Sequence, residues 1–185
     1  MNISTVDTWL GPFTAIVDAD GAVLASGWTA DGPTLQALIA PSLRTTTVPL
    51  LRKDLGAVTR AITAYHKGDL GAVDDVPVRQ QSNGPYLVAA WKALRDTAPG
   101  EPITYTELAG RTGEYLPGSE RSAPRAAALA CARNAVALFV PCHRVVRLDG
   151  SMGGFRWGLD IKRQLLAHER SPALTSRVGS SDREP

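Results

Sequence analysis

Phe139-Val140-Pro141-Cys142-His143-Arg144-Val145-Val146 sets a thiol and an imidazole side by side at a proline. An apolar run, residues 135–140, leads in, and a β-branched pair leads out. The pattern predicts a buried strand, a tight bend and a second buried strand. A bend held from both sides can present one side chain to a cleft. A cysteine there becomes a nucleophile if a nearby base or cation lowers its pKa. In extended chain, neighbouring side chains point to opposite faces. Cys142 and His143 therefore meet only if Pro141 turns the backbone. A third group should orient the imidazole, and Glu169, closing the helix-like run 164–169, is the candidate. The competing reading of Cys142 is a small buried hydrophobe, a common state of free cysteine.

The 185 residues fit one domain or two small ones, with the composition of an ordinary soluble globular protein. No apolar run approaches the length needed to span a bilayer, and no secretory signal is apparent. Cys131 and Cys142 provide no disulfide framework, so a reducing, cytoplasmic compartment is expected. Charge is unevenly placed. Residues 1–81 hold 6 basic and 8 acidic side chains, whereas residues 82–170 hold 12 and 8. The basic excess thus lies with the Cys142 motif, which suits phosphate contact and equally suits a solvated face.

Outward from the motif, the chain reads as α/β (α+β). A small N-terminal α/β domain (1–75) is followed by a linker (76–84) and a mainly helical C-terminal domain (85–170). Residues 171–185 read as a disordered tail. Residues 13–17 and 22–25 around Asp20-Gly21 predict a hairpin. A short helix is expected near residues 34–40. Leu51, Leu55, Val58, Ile62 and Tyr65 describe one face of a helix over residues 49–67. His66 near its end reads as a surface or dipole-compensating residue. A short strand is expected at 76–78, then a helix over 85–96 with Leu87, Val88, Trp91 and Leu94 inward. Thr104-Tyr105-Thr106-Glu107 has capping-box form. Ser122 can cap an Ala-rich helix over 123–133, giving a helix-turn-helix candidate. Its small residues suit close approach to a groove or tight packing inside the domain. The last helix is expected over 159–169.

Pro141-Cys142-His143-Arg144-Val145-Val146, with Tyr105, Arg125, Asn134 and Leu165-Leu166-Ala167-His168-Glu169, resembles the O6-alkylguanine-DNA alkyltransferases. The likeness covers about half the chain, residues 85–169. Phe155-Arg156-Trp157-Gly158 is similar to the bacterial branch. The resemblance implies direct-reversal DNA repair. The alkyl group of O6-alkylguanine, and of O4-methylthymine, in duplex DNA passes once to Cys142 after base flipping. It implies His143 as base, Glu169 as its orienter, Tyr105 as proton donor to the guanine, and Asn134 as the residue fixing the bend. Arg125 would fill the gap left by the flipped base, with Ala126, Ala127 and Arg133 on the DNA face. Pro141, Val145, Phe155, Arg156 and Trp157 would shape the pocket. The backbone carbonyls near Cys142 and Val145 would accept from the guanine amino group. Cys131 and His168 have no implied chemical role.

No cofactor is implied, and the partner is double-stranded DNA bound by a monomer, with cooperative binding along DNA open. Some members hold a structural zinc on N-terminal Cys and His. No cysteine precedes Cys131 here, so no metal site is expected. The chain departs from the family in a longer connection over residues 113–122, in Pro124 before Arg125, and in Ala135 after Asn134, where the family continues Asn-Pro. Three rivals remain open. They are a non-enzymatic lesion binder, which would usually carry Trp at the Cys142 position, a thiol hydrolase, and a regulatory helix-turn-helix protein.

Overall fold

The structure is a computed structural model that describes residues 1–82, 84–113 and 123–170. The N-terminal half is built on a four-stranded sheet: β1 (Asn2–Thr8), β2 (Gly11–Val17), β3 (Val23–Gly27) and β4 (Leu50–Leu51), in the order β3-β2-β1-β4. The expected hairpin is β2–β3. Its turn is closed by Asp18, whose side chain accepts from the backbone N–H groups of Asp20 and Ala22. β1 was not expected. Its alternation of half-buried and exposed residues carries little apolar signal, and it is held by full antiparallel pairing with β2.

The helix expected over residues 49–67 is shorter. α2 spans Ala57–His66, and Leu50–Leu51 pair in parallel with Asn2 and Ile3 instead. Gly56, at φ +64, breaks the backbone before the helix starts. Leu51 is 81% exposed, so its place in the apolar periodicity was coincidental. Gly68, at φ +106, stops the helix as expected. α1 is a single turn, Gly32–Gln36, capped by Asp31. Val78 makes only an isolated bridge to Val23. Val73 and Val76 nonetheless enter the core, which pins residues 71–78 down.

In the C-terminal half, α3 (Pro85–Arg95) buries Leu87, Trp91 and Leu94, but Val88 is exposed, against expectation. A two-stranded parallel pair joins β5 (Ile103–Thr104) to β6 (Val145–Val146). The capping box forms at the start of α4 (Tyr105–Arg111), with both Thr104 and Glu107 bonds present. α4 packs on α5 (Ala123–Ala132). α6 (Leu159–Arg170) closes the fold. Ser122, nearly all of the long connection, and the tail lie outside the described residues. Among the described residues no helix is long and apolar enough to cross a membrane.

Residues 135–140 are buried but do not form the expected strand. Ser26 N donates to the Ala135 carbonyl and Ala137 N to the Ser26 carbonyl, and the ladder stops there. Leu138 then turns to φ +74, and Val140 N closes a turn onto the Val136 carbonyl. The second expected strand is the two-residue β6. One continuous core runs from Phe13 through Trp28, Tyr65 and Leu94 to Val145 and Leu165, so the two halves share their interior.

His66 is not a surface residue. Its ring makes edge contacts with Trp9, Phe13, Trp28 and Tyr65, and among the described residues neither ring nitrogen has a partner. Burial, helped by nearby His168, lowers its pKa to about 4. A pKa lowered on folding means that the unfolded chain takes up the proton first as pH falls. Stability should therefore be complete above about pH 6.5 and decline down to about pH 4. His66→Phe, which keeps the ring contacts, should flatten that decline in melting temperature measured across pH 4–7.

Candidate active site

Cys142, His143 and Arg144 form one 3-10 turn after Pro141, and all three are buried. The turn replaces the simple bend expected, and it sends successive side chains in different directions. Cys142 lines a cavity of ≈380 Å³ together with Tyr105, Asn134, Phe155, Arg156 and Trp157. His143 turns away from it, and its Nε2 lies 2.8 Å from Glu169 Oε1. Among the described residues no direct hydrogen bond joins Cys142 to His143. Among the described residues the His143 Nδ1 is buried without a partner. Because Glu169 accepts at Nε2, that nitrogen carries the proton and Nδ1 keeps its lone pair. A lone pair left open beside a thiol turn can take a proton directly or through one water.

Glu169 is the hub. Burial alone would raise its pKa, but hydrogen bonds and charge from His143 and Arg144 hold it well below the carboxylate range. Arg144 donates through Nε and Nη2 to this carboxylate at 2.9–3.1 Å and through Nη1 to the Thr97 carbonyl. The Tyr65 hydroxyl donates to Glu169 Oε1 at 2.6 Å. Burial first, then the Glu169 charge, push that phenol far up, so it stays a donor. Burial lowers the pKa of His143, opposed by Glu169, which favours neutral imidazole at rest.

Asn134 does more than fix the bend. Its Oδ1 accepts from Val136 N at 2.9 Å and from Gln80 Nε2 at 3.0 Å. Its Nδ2 donates to the Val140 carbonyl at 2.7 Å and to Cys142 Sγ at 3.2 Å. Burial raises the Cys142 pKa, and the Asn134 bond works against it. The resting group is therefore a thiol whose anion already has a donor waiting. Lys162 is fully buried, and its Nζ donates to the Val145 carbonyl at 2.6 Å. Its charge also favours the thiolate.

The other expected residues divide. Tyr105 stands over Gly153, where an added Cβ would fall 2.2 Å from its hydroxyl. Burial and the two cysteines push its pKa up to about 12, so it is a phenol with a proton to give. Phe155 stacks edge-on to His143 and tilts on Trp28. Arg156 donates to the Ala132 carbonyl at 2.6 Å, tying the 150–157 loop to the end of α5. Pro141 and Val145 are buried and are not among the residues lining the cavity. The Val145 carbonyl already accepts from Lys162 and that of Cys142 from Val145 N. On α5, Arg125 is exposed and Ala126 half-buried, while Arg133 is exposed just beyond the helix. Ala127 is fully buried and packs inward, which corrects its placement on the DNA face. Cys131, to which no chemical role was assigned, packs against the core and also lines the cavity.

Arg144, Lys162, Tyr65, Gln80 and Cys131 were not singled out as site residues. A signal existed for Lys162. It shares the helical spacing of Leu165, Leu166 and Glu169, so a lysine sits on the buried face. Tyr65 carries only the apolar spacing of α2, and nothing local marks its partner, which lies 104 residues away.

Trp157 roofs the cavity by lying against Gly27 of β3, where an added Cβ would fall 1.9 Å from the indole. Gly27→Ala should displace that ring at a cost of about 1–3 kcal/mol. Thermal melting and quenching of tryptophan fluorescence by acrylamide would both register the change.

Residues 85–171 match the family model described as the 6-O-methylguanine DNA methyltransferase, DNA binding domain. A methylated-DNA–protein-cysteine methyltransferase of Methanopyrus kandleri is 38% identical over 126 residues, 68% of this chain and 86% of that protein. The bifunctional transcriptional activator/DNA repair enzyme Ada of Escherichia coli is 47% identical over 79 residues, 43% of this chain. The match spans only 21% of Ada and 21% of the Salmonella typhimurium regulatory protein ada. The crystal structure of Mycobacterium tuberculosis OGT in complex with DNA superposes with a TM-score of 0.71 at 25% identity, covering 92% of this chain and 94% of that one. A buried thiol turn with its His–Glu partner, set behind a helix pair and matched over most of a relative's length, places this chain in the methylated-DNA–protein-cysteine methyltransferase family.

Proposed function

We propose that this protein is a suicidal methylated-DNA–protein-cysteine methyltransferase that repairs O6-alkylguanine, and O4-methylthymine, in duplex DNA. The observation that carries the reading is Cys142 Sγ on the wall of a base-sized cavity, with Asn134 Nδ2 3.2 Å away. The helix pair α4–α5 lies against the minor groove, and Arg125 enters the stack as the damaged base swings out. Arg133 contacts phosphate. Extrusion costs a few kcal/mol, less for a lesion that pairs poorly.

In the cavity, His143 Nδ1 takes the Cys142 proton, through one water, while Glu169 and its partners hold the ring. The sulfur attacks the alkyl carbon in line. The S–C bond forms as the C–O6 bond breaks, and the electron pair stays with guanine. Tyr105 supplies a proton to the ring, making guanine the better leaving group. Asn134 and Lys162 steady the negative sulfur until it is alkylated. The thioether has no leaving route, so each chain acts once. No cofactor takes part. Residues 85–170 carry the chemistry, and residues 1–75 buttress it through Tyr65 and Gly27. The protein would work as a cytoplasmic monomer.

The test is mass spectrometry after incubation with an O6-methylguanine duplex, using Cys142→Ala as the blank. A gain of about 14 Da on the Cys142 peptide, saturating at one per chain, is expected for transfer. Repeated turnover would indicate a hydrolase. Retained lesion binding without any mass change would indicate a non-enzymatic binder.

A further inference from the structure

A second cleft, of ≈330 Å³, adjoins the Cys142 cavity, and the two share Ala132 and Arg156 as a common wall. Arg156 is pinned in that partition by its bond to the Ala132 carbonyl. Arg133 and Arg79 also line the cleft, with Gln81 and Ser82 among its polar groups and Trp91 among its apolar ones. Among the described residues no carboxylate lines it. Asp18 and Asp20 hold Arg79 through ion pairs, whereas Arg133 has no ion pair among the described residues. Cationic groups converging on a concave surface focus a positive potential that an anion relieves. The cleft is also mechanically tied to the sulfur, since Gln80 lines it and donates to Asn134.

We propose that this cleft is a second nucleic-acid subsite, holding the phosphodiester backbone of the strand that carries the flipped base. The proposal rests on the reading of Cys142 given above and extends the DNA surface off α5 onto residues 79–82. Arg125 and Arg133 stand eight residues apart, about 12 Å along a helical rise, which is three to four nucleotide steps. A strand led by Arg125 to the cavity mouth therefore arrives beside Arg133 and Arg156. A phosphate there meets the fork of Arg133, suited to bidentate contact, with Arg156 beside it. A free nucleotide would satisfy the charges equally, but the shared wall with the cavity favours a continuous strand.

The experiment is the dependence of duplex affinity on salt. Arg133→Gln should reduce the slope of log K against log salt by about one, and Arg79→Gln, which leaves Asp18 and Asp20 uncompensated beside the cleft, should weaken low-salt binding several-fold. Ser82→Asp should weaken low-salt binding by about tenfold, whereas Val48→Asp, at an exposed site across the sheet, should not. Melting temperatures of the four variants identify any that fail to fold. The proposal is overturned if Arg79→Gln and Ser82→Asp leave slope and affinity unchanged while Arg133→Gln moves them. The strand would then stay on α5, and the cleft would serve some other anion. Equal losses from Val48→Asp and Ser82→Asp would overturn it too. Failure of wild-type methyl transfer would sink the Cys142 reading without touching these slopes.

Discussion

Glu169→Gln is expected to slow methyl transfer by about 10²–10³-fold and to destabilise the fold by about 3–5 kcal/mol. The carboxylate accepts from His143, Arg144 and Tyr65 at once, mostly on a single oxygen. An amide offers one acceptor oxygen and turns an N–H₂ group on whichever donor remains. The buried guanidinium of Arg144 then faces a neutral group, and His143 loses the partner that fixes its tautomer. Single-turnover rates on methylated duplex separate the two losses. The stability loss appears in melting, and the tautomer loss in the rate per folded molecule. The pH dependence has a definite sign. A carboxylate whose pKa is depressed on folding contributes stability above its unfolded value, about 4.3, and loses it as pH falls towards the folded value. Wild-type stability should decline below about pH 4, and the Gln variant should lack that part of the decline.

What was legible in the sequence was local. The thiol, the imidazole and the proline sit in one octapeptide, and Glu169 falls on the apolar spacing of α6. The capping box needs only Thr104 and Glu107, three residues apart. The hairpin announces itself through Asp20-Gly21. What was illegible depends on partners far along the chain. Leu50–Leu51 form a strand because β1 offers them an edge, and β1 has no strong pattern of its own. Residues 135–140 look like a strand because they are buried. Burial comes from the surrounding core, while Leu138 at positive φ ends any ladder. The site shows the same limit. Residues 1–75 carry no catalytic constellation as a string, yet Tyr65 reaches Glu169 and Gly27 seats Trp157. A helix that shows only an apolar face in sequence can thus deliver one hydroxyl to a charge cluster in the other half.

Arg144→Met is expected to destabilise the protein by about 3–5 kcal/mol, because it strands a buried carboxylate. Arg144 is 1% exposed, and all its described partners are Glu169 and the Thr97 carbonyl. At about 2–4 °C per kcal/mol for a chain of this size, the melting temperature should fall by roughly 6–20 °C. The double variant Arg144→Met/Glu169→Gln removes both charges together and should cost clearly less than the sum of the single changes. Methionine fills much of the arginine's volume, so the comparison isolates charge from packing. A coupling of about 1–3 kcal/mol would make the ion pair the reason that each charge is tolerated inside the core. Strict additivity would mean that each side chain is held by its own packing, and the depressed pKa of Glu169 would then need His143 and Tyr65 alone to sustain it.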